Sequence, residues 1–469
     1  MTLNKKNIIL SIISVLVGIA IAMVPAPAPM GETGMITLGI LIAGVLLMLF
    51  NVLDEYVAFL FVVAFWAIFQ VTDFGIIFSV FSSTTTWLLI GALGIGAAAS
   101  SSGLMRRLAL YLMRIFPTTF VGQSTALLVS GILIGPFIPS TTAKAAIVGP
   151  VARSVSEAMG YEPGSRGAGG IFASFYTGYI STAPAFLSAS FASYAIVGLL
   201  PDDIAARYTW MGWFISALPW AIVFTILAYF SIILLYKPKN EVEISSDYVE
   251  NELAEMGGWS FNEKLVATVL VVCLAFWMTE TVHGIHASMI ALIGCAIVLG
   301  AGVVTRKQFR SEIAWDQVVF IGCMLGIGYV FPAVGINDWI IATFGEMIVP
   351  LMSNHVLFLV VFMIFVLIIR FVIVSWTAAF TLLTVLLAPF VDAAGINLWI
   401  IPFVTFVISN TWFVKYNSSP YVVSLTAAGG DGVMVTHNQM VKYSVLHTIA
   451  TMIAVLAAVP FWRMMGLLY

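Results

Sequence analysis

The amino-acid sequence predicts an all-α polytopic membrane protein made of two related halves. Of its 469 residues, 61% are hydrophobic and only 9% are charged, whereas soluble domains carry about 25% charged residues. Apolar stretches of about 20 residues, the length that a helix needs to cross a bilayer, recur along the whole chain. This pattern excludes a soluble domain and predicts an integral membrane protein that crosses the bilayer many times as helices.

Positive charges predict which side of the membrane each connection faces. Lys5 and Lys6 precede the first span, which places the N-terminus in the cytoplasm. Arg106, Arg107 and Arg114 follow the fourth span and predict a second cytoplasmic connection. The chain enters the membrane at once and shows no organelle-targeting presequence, so we expect the plasma membrane, which is the inner membrane in a bacterium.

The first half contains two interrupted apolar segments. Early spans occupy residues 1–81, and a first repeat covers residues 82–236. Residues 119–150 are cut by "GPFIPSTTAK" and flanked by arginines, which predicts a re-entrant hairpin. Residues 168–200 form a span broken at "ISTAP", and the polar residues 237–263 are predicted to be a cytoplasmic linker.

The second half repeats this plan. Residues 264–314 hold two further early spans, and a second repeat covers residues 315–469. Its apolar hairpin, residues 354–390, is cut at "VSWTAA", and its span over residues 397–428 is broken at "KYNSSP". Non-helical backbone at membrane depth requires burial in protein or access to water, so we expect these interruptions to line a cavity.

Three landmarks keep their order and spacing in the two halves, and the charges place the halves in opposite orientations. Inverted repeats with paired interruptions are typical of secondary transporters, whose substrate site lies at the interruptions. The landmarks, with the separation of the two copies in parentheses, are the LGIG motif at 93–96 and 325–328 (232 residues), Ser140 and Ser375 (235), and Pro184 and Pro420 (236).

The four interruptions carry hydroxyls, amides and free N–H groups at the starts of half-helices. Such groups favour carboxylate, sulfate or phosphate, because a helix N-terminus is positive. Each hydroxyl can also serve only as a helix cap, and that alternative stays open. The predicted substrate-binding residues are Ser140, Thr141, Thr142, Ser181, Thr182, Ser375, Trp376, Thr377, Asn417, Ser418 and Ser419.

Three basic residues fall within or beside the interruptions: Lys144, Arg370 and Lys415. A lysine at membrane depth costs about 2.5 to 3.5 kcal/mol, so we expect these charges to be paired, hydrated or functional. For Lys415, snorkelling to the interface is the alternative. Acidic residues map to span ends, which favours an anion carrier over a proton or cation antiporter.

The paired motifs "STTA" and "SWTA", with the breaks "STAP" and "NSSP", resemble the divalent anion:sodium symporter family of dicarboxylate, citrate and sulfate carriers. That family has a Ser-Asn-Thr triplet at each hairpin tip and a Thr-Pro-Pro-type break in each partner span. The resemblance covers essentially the whole chain. It implies eleven spans plus two opposed re-entrant hairpins, a homodimer in the lipid bilayer, and an elevator motion that carries the site past a scaffold of early spans.

The sequence departs from the family pattern at two points. Thr141 and Trp376 stand where the family has the asparagines that touch substrate carboxylates. Family symporters hold sodium between each tip and its partner break, and here Lys144 and Lys415 fall in those regions; the exchanger branch also has a basic residue after the first tip. We therefore expect sodium-independent exchange of a small dianion, of the succinate, malate or 2-oxoglutarate type, with citrate or tartrate also open.

Several other functions are compatible with parts of the sequence. A sodium-coupled symporter of dicarboxylate or sulfate is the main alternative, and it alone would require sodium as a cofactor. A proton or sodium antiporter fits the charge pattern less well, and a passive channel would not need two opposed hairpins. No His-Glu-x-x-His, paired-aspartate or Gly-x-Ser-x-Gly motif occurs, so we expect neither an enzyme nor a bound metal. No nucleic-acid partner is expected.

Overall fold

The structure, a computed structural model, describes residues 5–239, 243 and 246–469. Residues 1–4 of the predicted early spans, and residues 240–242, 244 and 245 of the predicted linker, lie outside the described residues. The described part is helical, with one isolated β-bridge between Ile396 and Leu468. The helices of the first half are α1 Lys5–Ala22, α2 Gly34–Leu49, α3 Glu55–Ile68, α4 Phe74–Ile77, α5 Thr84–Ser101, α6 Leu104–Ile115, α7 Phe120–Ile134, α8 Thr141–Ala158, α9 Arg166–Tyr176, α10 Phe191–Gly198, α11 Asp202–Ala205, α12 Trp210–Tyr236 and α13 Ser246–Met256.

The second half has a similar order of long helices, short connections and interrupted segments. Its helices are α14 Phe261–Met278, α15 Glu280–His283, α16 Ala287–Gly300, α17 Arg306–Ser311, α18 Trp315–Met324, α19 Ile327–Ala333, α20 Ile336–Ser353, α21 His355–Ile369, α22 Trp376–Val391, α23 Ile400–Ser409, α24 Ser419–Ala427 and α25 His437–Met464.

Seven helical segments in the described part of the chain are long and apolar enough to cross a membrane. Shorter apolar helices, among them α2, α3 and α16, lie between them. The predicted class of multi-pass helical membrane protein is therefore confirmed, while the number of eleven spans stays a prediction. The seven segments are Lys5–Ala22, Thr84–Ser101, Phe120–Phe137, Trp210–Tyr236, Phe261–Met278, Trp315–Ala333 and His437–Met464.

Each predicted hairpin has two helices separated by a short non-helical tip. In the first hairpin α7 ends at Ile134 and α8 begins at Thr141, and in the second α21 ends at Ile369 and α22 begins at Trp376. Prolines precede the start of α8, where they cannot donate the backbone N–H groups that a continuous helix needs. The predicted broken spans are likewise interrupted, between α9 and α10 and between α23 and α24.

A helix that was not predicted from the sequence leads into the second hairpin. This helix, α20, meets α21 at an angle of 113°, so the two do not form one straight span. In the first half α6 occupies the equivalent place before α7. Both α6 and α20 follow a glycine in the left-handed conformation, Gly103 with φ 82° and Gly335 with φ 73°, a geometry that suits glycine. The two halves thus share this turn.

The described part of the linker contacts helices of both halves. Its helix α13 packs on α6, and Glu252 of α13 lies 2.5 Å from Arg106. Beside it Arg107 forms a buried ion pair with Glu263 of α14, at 2.6 Å and with each side chain 3% exposed. The linker therefore connects the helix before the first hairpin to the first span of the second half.

The first hairpin and the first broken span approach each other at two glycines. A Cβ atom added at Gly131 of α7 would lie 2.2 Å from the carbonyl carbon of Gly178. We expect Gly131→Val to separate these segments and to lower the free energy of unfolding by about 1 to 3 kcal/mol. The test is the thermal unfolding midpoint of the purified protein, which should fall.

The matched control is Gly328→Val. Gly328 also lies in a membrane helix, but a Cβ added there meets nothing within 4 Å. Equal decreases in the unfolding midpoint for the two variants would contradict the close approach at Gly131.

Candidate functional site

The tip of the first hairpin, residues 135–140, is closed by hydroxyl groups at the start of α8. The Ser140 hydroxyl accepts a hydrogen bond from the Ala143 N–H at 3.2 Å and lies 3.1 Å from the Thr142 hydroxyl. Thr141 is buried beside them. Ser140 therefore caps α8, as the sequence predicted it could, and the cap keeps the positive end of α8 at the tip.

The first tip contacts the first broken span through two hydrogen bonds. The Phe191 N–H of α10 donates to the Pro139 carbonyl at 2.8 Å. The Lys144 ammonium donates to the Ala189 carbonyl at 2.9 Å, and its side chain is 0% exposed. Within the described residues no carboxylate pairs with Lys144. Because an ammonium has three donors, this lysine has hydrogen-bonding capacity and charge left for another partner.

The tip of the second hairpin, residues 370–375, has an equivalent cap. The Ser375 hydroxyl accepts a hydrogen bond from the Ala378 N–H at 3.2 Å, at the start of α22. Trp376 packs against Phe406 with ring centroids 5.7 Å apart, and Thr377 is buried. The indole of Trp376 thus forms a wall between the tip and α23 of the second broken span.

Arg370 connects the second tip to the second broken span. Its buried guanidinium donates hydrogen bonds to the carbonyls of Ile373, at 2.6 Å, and Val374 in the tip. It also donates to the carbonyl of Asn417 in the break. In the part of the chain that the structure describes, Arg370 forms no ion pair. A buried cation held by backbone carbonyls therefore lies between tip and break in both halves.

A phenol joins the two broken spans. The Tyr176 hydroxyl, in α9, donates to the Asn410 side-chain oxygen at 3.1 Å and lies 3.3 Å from the Ser418 hydroxyl. Ser418 also caps α24 by accepting from the Tyr421 N–H at 3.3 Å. Together with the contacts at the tips, this link brings all four interruptions into one cluster.

Two predicted residues at the breaks have polar atoms that no group in the described chain satisfies. The Ser181 hydroxyl is buried without a partner, and both the oxygen and the nitrogen of the Asn417 amide are buried without one. By contrast, the Thr182 hydroxyl donates to the Gly178 carbonyl at 2.6 Å. Buried polar groups are nearly always hydrogen-bonded, so the two unpaired side chains are the best placed to meet a ligand.

Lys415 lies apart from this buried cluster. Its ammonium is 2.5 Å from the Asp431 carboxylate, and the two side chains are 49% and 38% exposed. Ser419 is exposed as well. The expectation that Lys415 supplies the fixed charge at the second break therefore does not match its position, because a loop carboxylate already pairs with it. Arg370, which is 47 residues from Asn417 in sequence, takes that position.

Glu55 was not among the residues predicted from the sequence. Its carboxylate lies near the Ser375 side chain and interacts electrostatically with Arg370. Both Glu55 and Ser375 line a cavity of about 360 Å³, together with Asp54 and Asp316; pockets for small ligands typically measure about 300 to 1,000 Å³. No local pattern relates position 55 to position 375, and the only signal was a carboxylate at the start of an apolar helix.

A buried cationic cluster where four interrupted helices meet, inside a multi-pass helical protein, defines a membrane transporter. The family described as "Sodium:sulfate symporter transmembrane region" matches residues 5–468, and the chain belongs to this family. The resemblance to the divalent anion:sodium symporters is thereby confirmed.

The relatives of the chain include proteins named as transporters and one named as an inner membrane protein. The chain is 28% identical to a putative malate transporter of Bacillus subtilis, over 70% of this chain and 70% of that protein. It is 26% identical to a citrate/succinate antiporter of Escherichia coli, over 56% and 55%. It is 26% identical to the inner membrane protein YbhI of Escherichia coli, over 73% and 74%.

The YdaH transporter of Alcanivorax borkumensis has the same fold. The comparison gives a TM-score of 0.57 and covers 98% of this chain and 97% of that one. At 14% identity, this likeness concerns the fold alone.

The Lys415–Asp431 pair predicts a pH-dependent contribution to stability. The hydrogen bond from Lys415, with a second from the His437 N–H, holds the pKa of Asp431 below its usual range. This contribution is therefore present above the ordinary aspartate pKa of about 3.9 and is lost as the pH falls through the lowered pKa. We expect Asp431→Asn to cost less than about 1 kcal/mol at pH 7, since the pair is partly exposed.

Thermal unfolding of both proteins across a pH series checks this expectation. The difference between wild type and Asp431→Asn should shrink as the pH falls below the ordinary aspartate pKa. Lys415→Met should give the same loss at pH 7, and a difference that grows on acidification would contradict the ion pair.

Proposed function

We propose that this protein is a secondary active transporter that exchanges small dicarboxylates across the plasma membrane, the inner membrane in a bacterium, without sodium. One observation carries the proposal. In both halves the carbonyls between hairpin tip and partner break accept hydrogen bonds from a buried side-chain cation, Lys144 in the first and Arg370 in the second.

The residues at these two positions do not fit a bound sodium ion. A hard cation needs several oxygen ligands around it. The Ala189 carbonyl is used by Lys144, and the carbonyls of Ile373 and Asn417 are used by Arg370. A cation placed beside either side chain would also meet a like charge. No step of the proposed cycle therefore involves sodium.

The two buried charges give a physical reason for obligatory exchange. Carrying an unneutralised lysine through the membrane costs about 3 kcal/mol, which slows an empty carrier roughly a hundredfold. A bound dianion neutralises both Lys144 and Arg370 and removes this cost. A carrier then crosses readily only when loaded, so uptake of one dianion requires export of another.

The proposed substrates are dicarboxylates of the succinate, malate or 2-oxoglutarate type, with citrate or tartrate also open. Two fixed cations match two carboxylates in number. The unpaired Ser181 hydroxyl and Asn417 amide supply donors and an acceptor for the substrate's remaining polar groups. Relatives named as a putative malate transporter and as a citrate/succinate antiporter support this class.

We further propose an elevator mechanism in a homodimer, with eleven spans, two opposed hairpins and a cytoplasmic N-terminus. The hairpins and broken spans are interlocked, because α8 packs on α24 and α10 packs on α22, each across the two halves. Helices α3 and α5 of the first half pack on α18 and α16 of the second half, respectively. Such packing favours one body that moves as a unit against a scaffold of early spans.

The second candidate is a sodium-coupled symporter of dicarboxylate or sulfate, which the description of the family favours. In that case Lys144 and Arg370 would bind only the substrate. A proton or sodium antiporter has less support, since the buried ionisable groups of the cluster are cations.

The deciding experiment is uptake of labelled succinate into proteoliposomes, preloaded or not with unlabelled dicarboxylate, with and without a sodium gradient. We expect uptake that requires internal dicarboxylate and does not change with sodium. Sodium-driven uptake into empty vesicles would overturn the exchange proposal and establish the symporter.

The charge of Lys144 is tested by Lys144→Gln, which keeps a polar side chain but removes the ammonium. We expect counterflow of labelled succinate to fall by roughly a hundredfold, because the substrate loses a desolvated counter-ion. The matched control is Lys307→Gln, which removes an exposed lysine of α17 and should leave counterflow unchanged. Intact counterflow in Lys144→Gln would contradict the mechanism.

A further inference from the structure

We propose that the Glu55 carboxylate occupies the second hairpin tip when the carrier is empty and that the substrate displaces it. Glu55 then takes the place of a substrate carboxylate. This inference rests on the proposed function and explains how the empty state is held. It assigns a role in coupling to a residue outside both hairpins and both broken spans.

The contact at Ser375 has the chemistry expected for a bound carboxylate. The Ser375 hydroxyl already accepts the Ala378 N–H at the start of α22, so its hydrogen is free to be donated. Glu55 lines the same cavity as Ser375 and lies near enough to be the acceptor of that hydrogen. The carboxylate therefore lies beside a helix N-terminus and a donating hydroxyl, the two features that favour an anion at this tip.

Charge balance gives a second argument. Arg370 is buried and contacts backbone carbonyls, which satisfy its donors but do not neutralise its charge. Glu55 is the acidic side chain that interacts electrostatically with it. In the absence of a substrate dianion, Glu55 thus supplies part of the negative charge that Arg370 otherwise lacks.

The cavity beside Glu55 gives a substrate access to this contact. The cavity of about 360 Å³ is lined by residues of the α2–α3 connection, by Asp316 at the start of α18 and by Val374 and Ser375 of the second tip. Glu55 is only partly buried there. An incoming carboxylate can therefore reach Ser375 from the cavity and compete with Glu55 for its hydrogen bond.

The contact also joins the two bodies that the elevator proposal moves apart. Glu55 begins α3, which packs on α2 and α18, whereas Ser375 belongs to the second hairpin. Movement of the hairpin along the scaffold must break the contact. An empty carrier is therefore held in this end state by Glu55, and a loaded carrier is released because the substrate has replaced it.

The test is Glu55→Gln in proteoliposomes, assayed for counterflow into preloaded vesicles and for net uptake into empty ones. We expect counterflow to persist and net uptake to rise by roughly tenfold, because the empty carrier is no longer held by a charged hydrogen bond. Unchanged net uptake with intact counterflow would overturn the role of Glu55.

Three further variants separate the contact from a general effect of charge. Glu55→Asp keeps the charge but shortens the side chain, so it should raise net uptake as Glu55→Gln does. Asp54→Asn removes a neighbouring charge of the same cavity, and Asp73→Asn removes an exposed charge elsewhere; both should leave net uptake unchanged. A rise with Asp54→Asn equal to that with Glu55→Gln would overturn the specific contact.

Failure of the proposed function gives a different result. If the wild type shows no counterflow, or takes up succinate into empty vesicles with sodium, then exchange itself is refuted. If Glu55→Gln does not fold, Glu55→Asp carries the same test, since it preserves charge at the start of α3.

Discussion

Two buried cations, for which the described part of the chain offers no carboxylate partner, are the constraint on which the rest of the structure depends. Charged groups at membrane depth are tolerated only when other groups compensate them. Here the compensation comes from backbone carbonyls that a continuous helix would keep for itself, namely those of Ala189, Ile373 and Asn417. The interruptions of the helices and the cations within them therefore require each other.

The early spans supply the only acidic group seen to interact with this cationic cluster in the described residues, Glu55. As a result, the groups that compensate the cluster come from parts of the molecule that are distant in sequence. The hairpin tips provide donors, the breaks provide carbonyls, and α3 provides a carboxylate from a distance in sequence. Under the proposed function, binding of an anion would alter contacts between these parts as well as within them.

Much of the fold followed from local patterns, because apolar length and interrupted helices are properties of neighbouring residues. The caps at Ser140 and Ser375 were predictable for the same reason. The partners of Arg370 and Glu55 were not, since 47 and 320 residues separate them from the groups that they contact. Lys415 was predicted to supply a charge at the second break, but it pairs with Asp431. That partner lies in a loop whose path the local sequence does not determine.

The crossed packing of the two halves has a consequence for biogenesis. The second arm of the first hairpin, α8, packs on α24, which the ribosome delivers more than 250 residues later. Until then α8 lacks the surface of α24 on which it packs, although the first tip and Lys144 can already contact the broken span of their own half. Insertion of this protein therefore passes through a stage in which the first half is complete and one face of α8 is still uncovered.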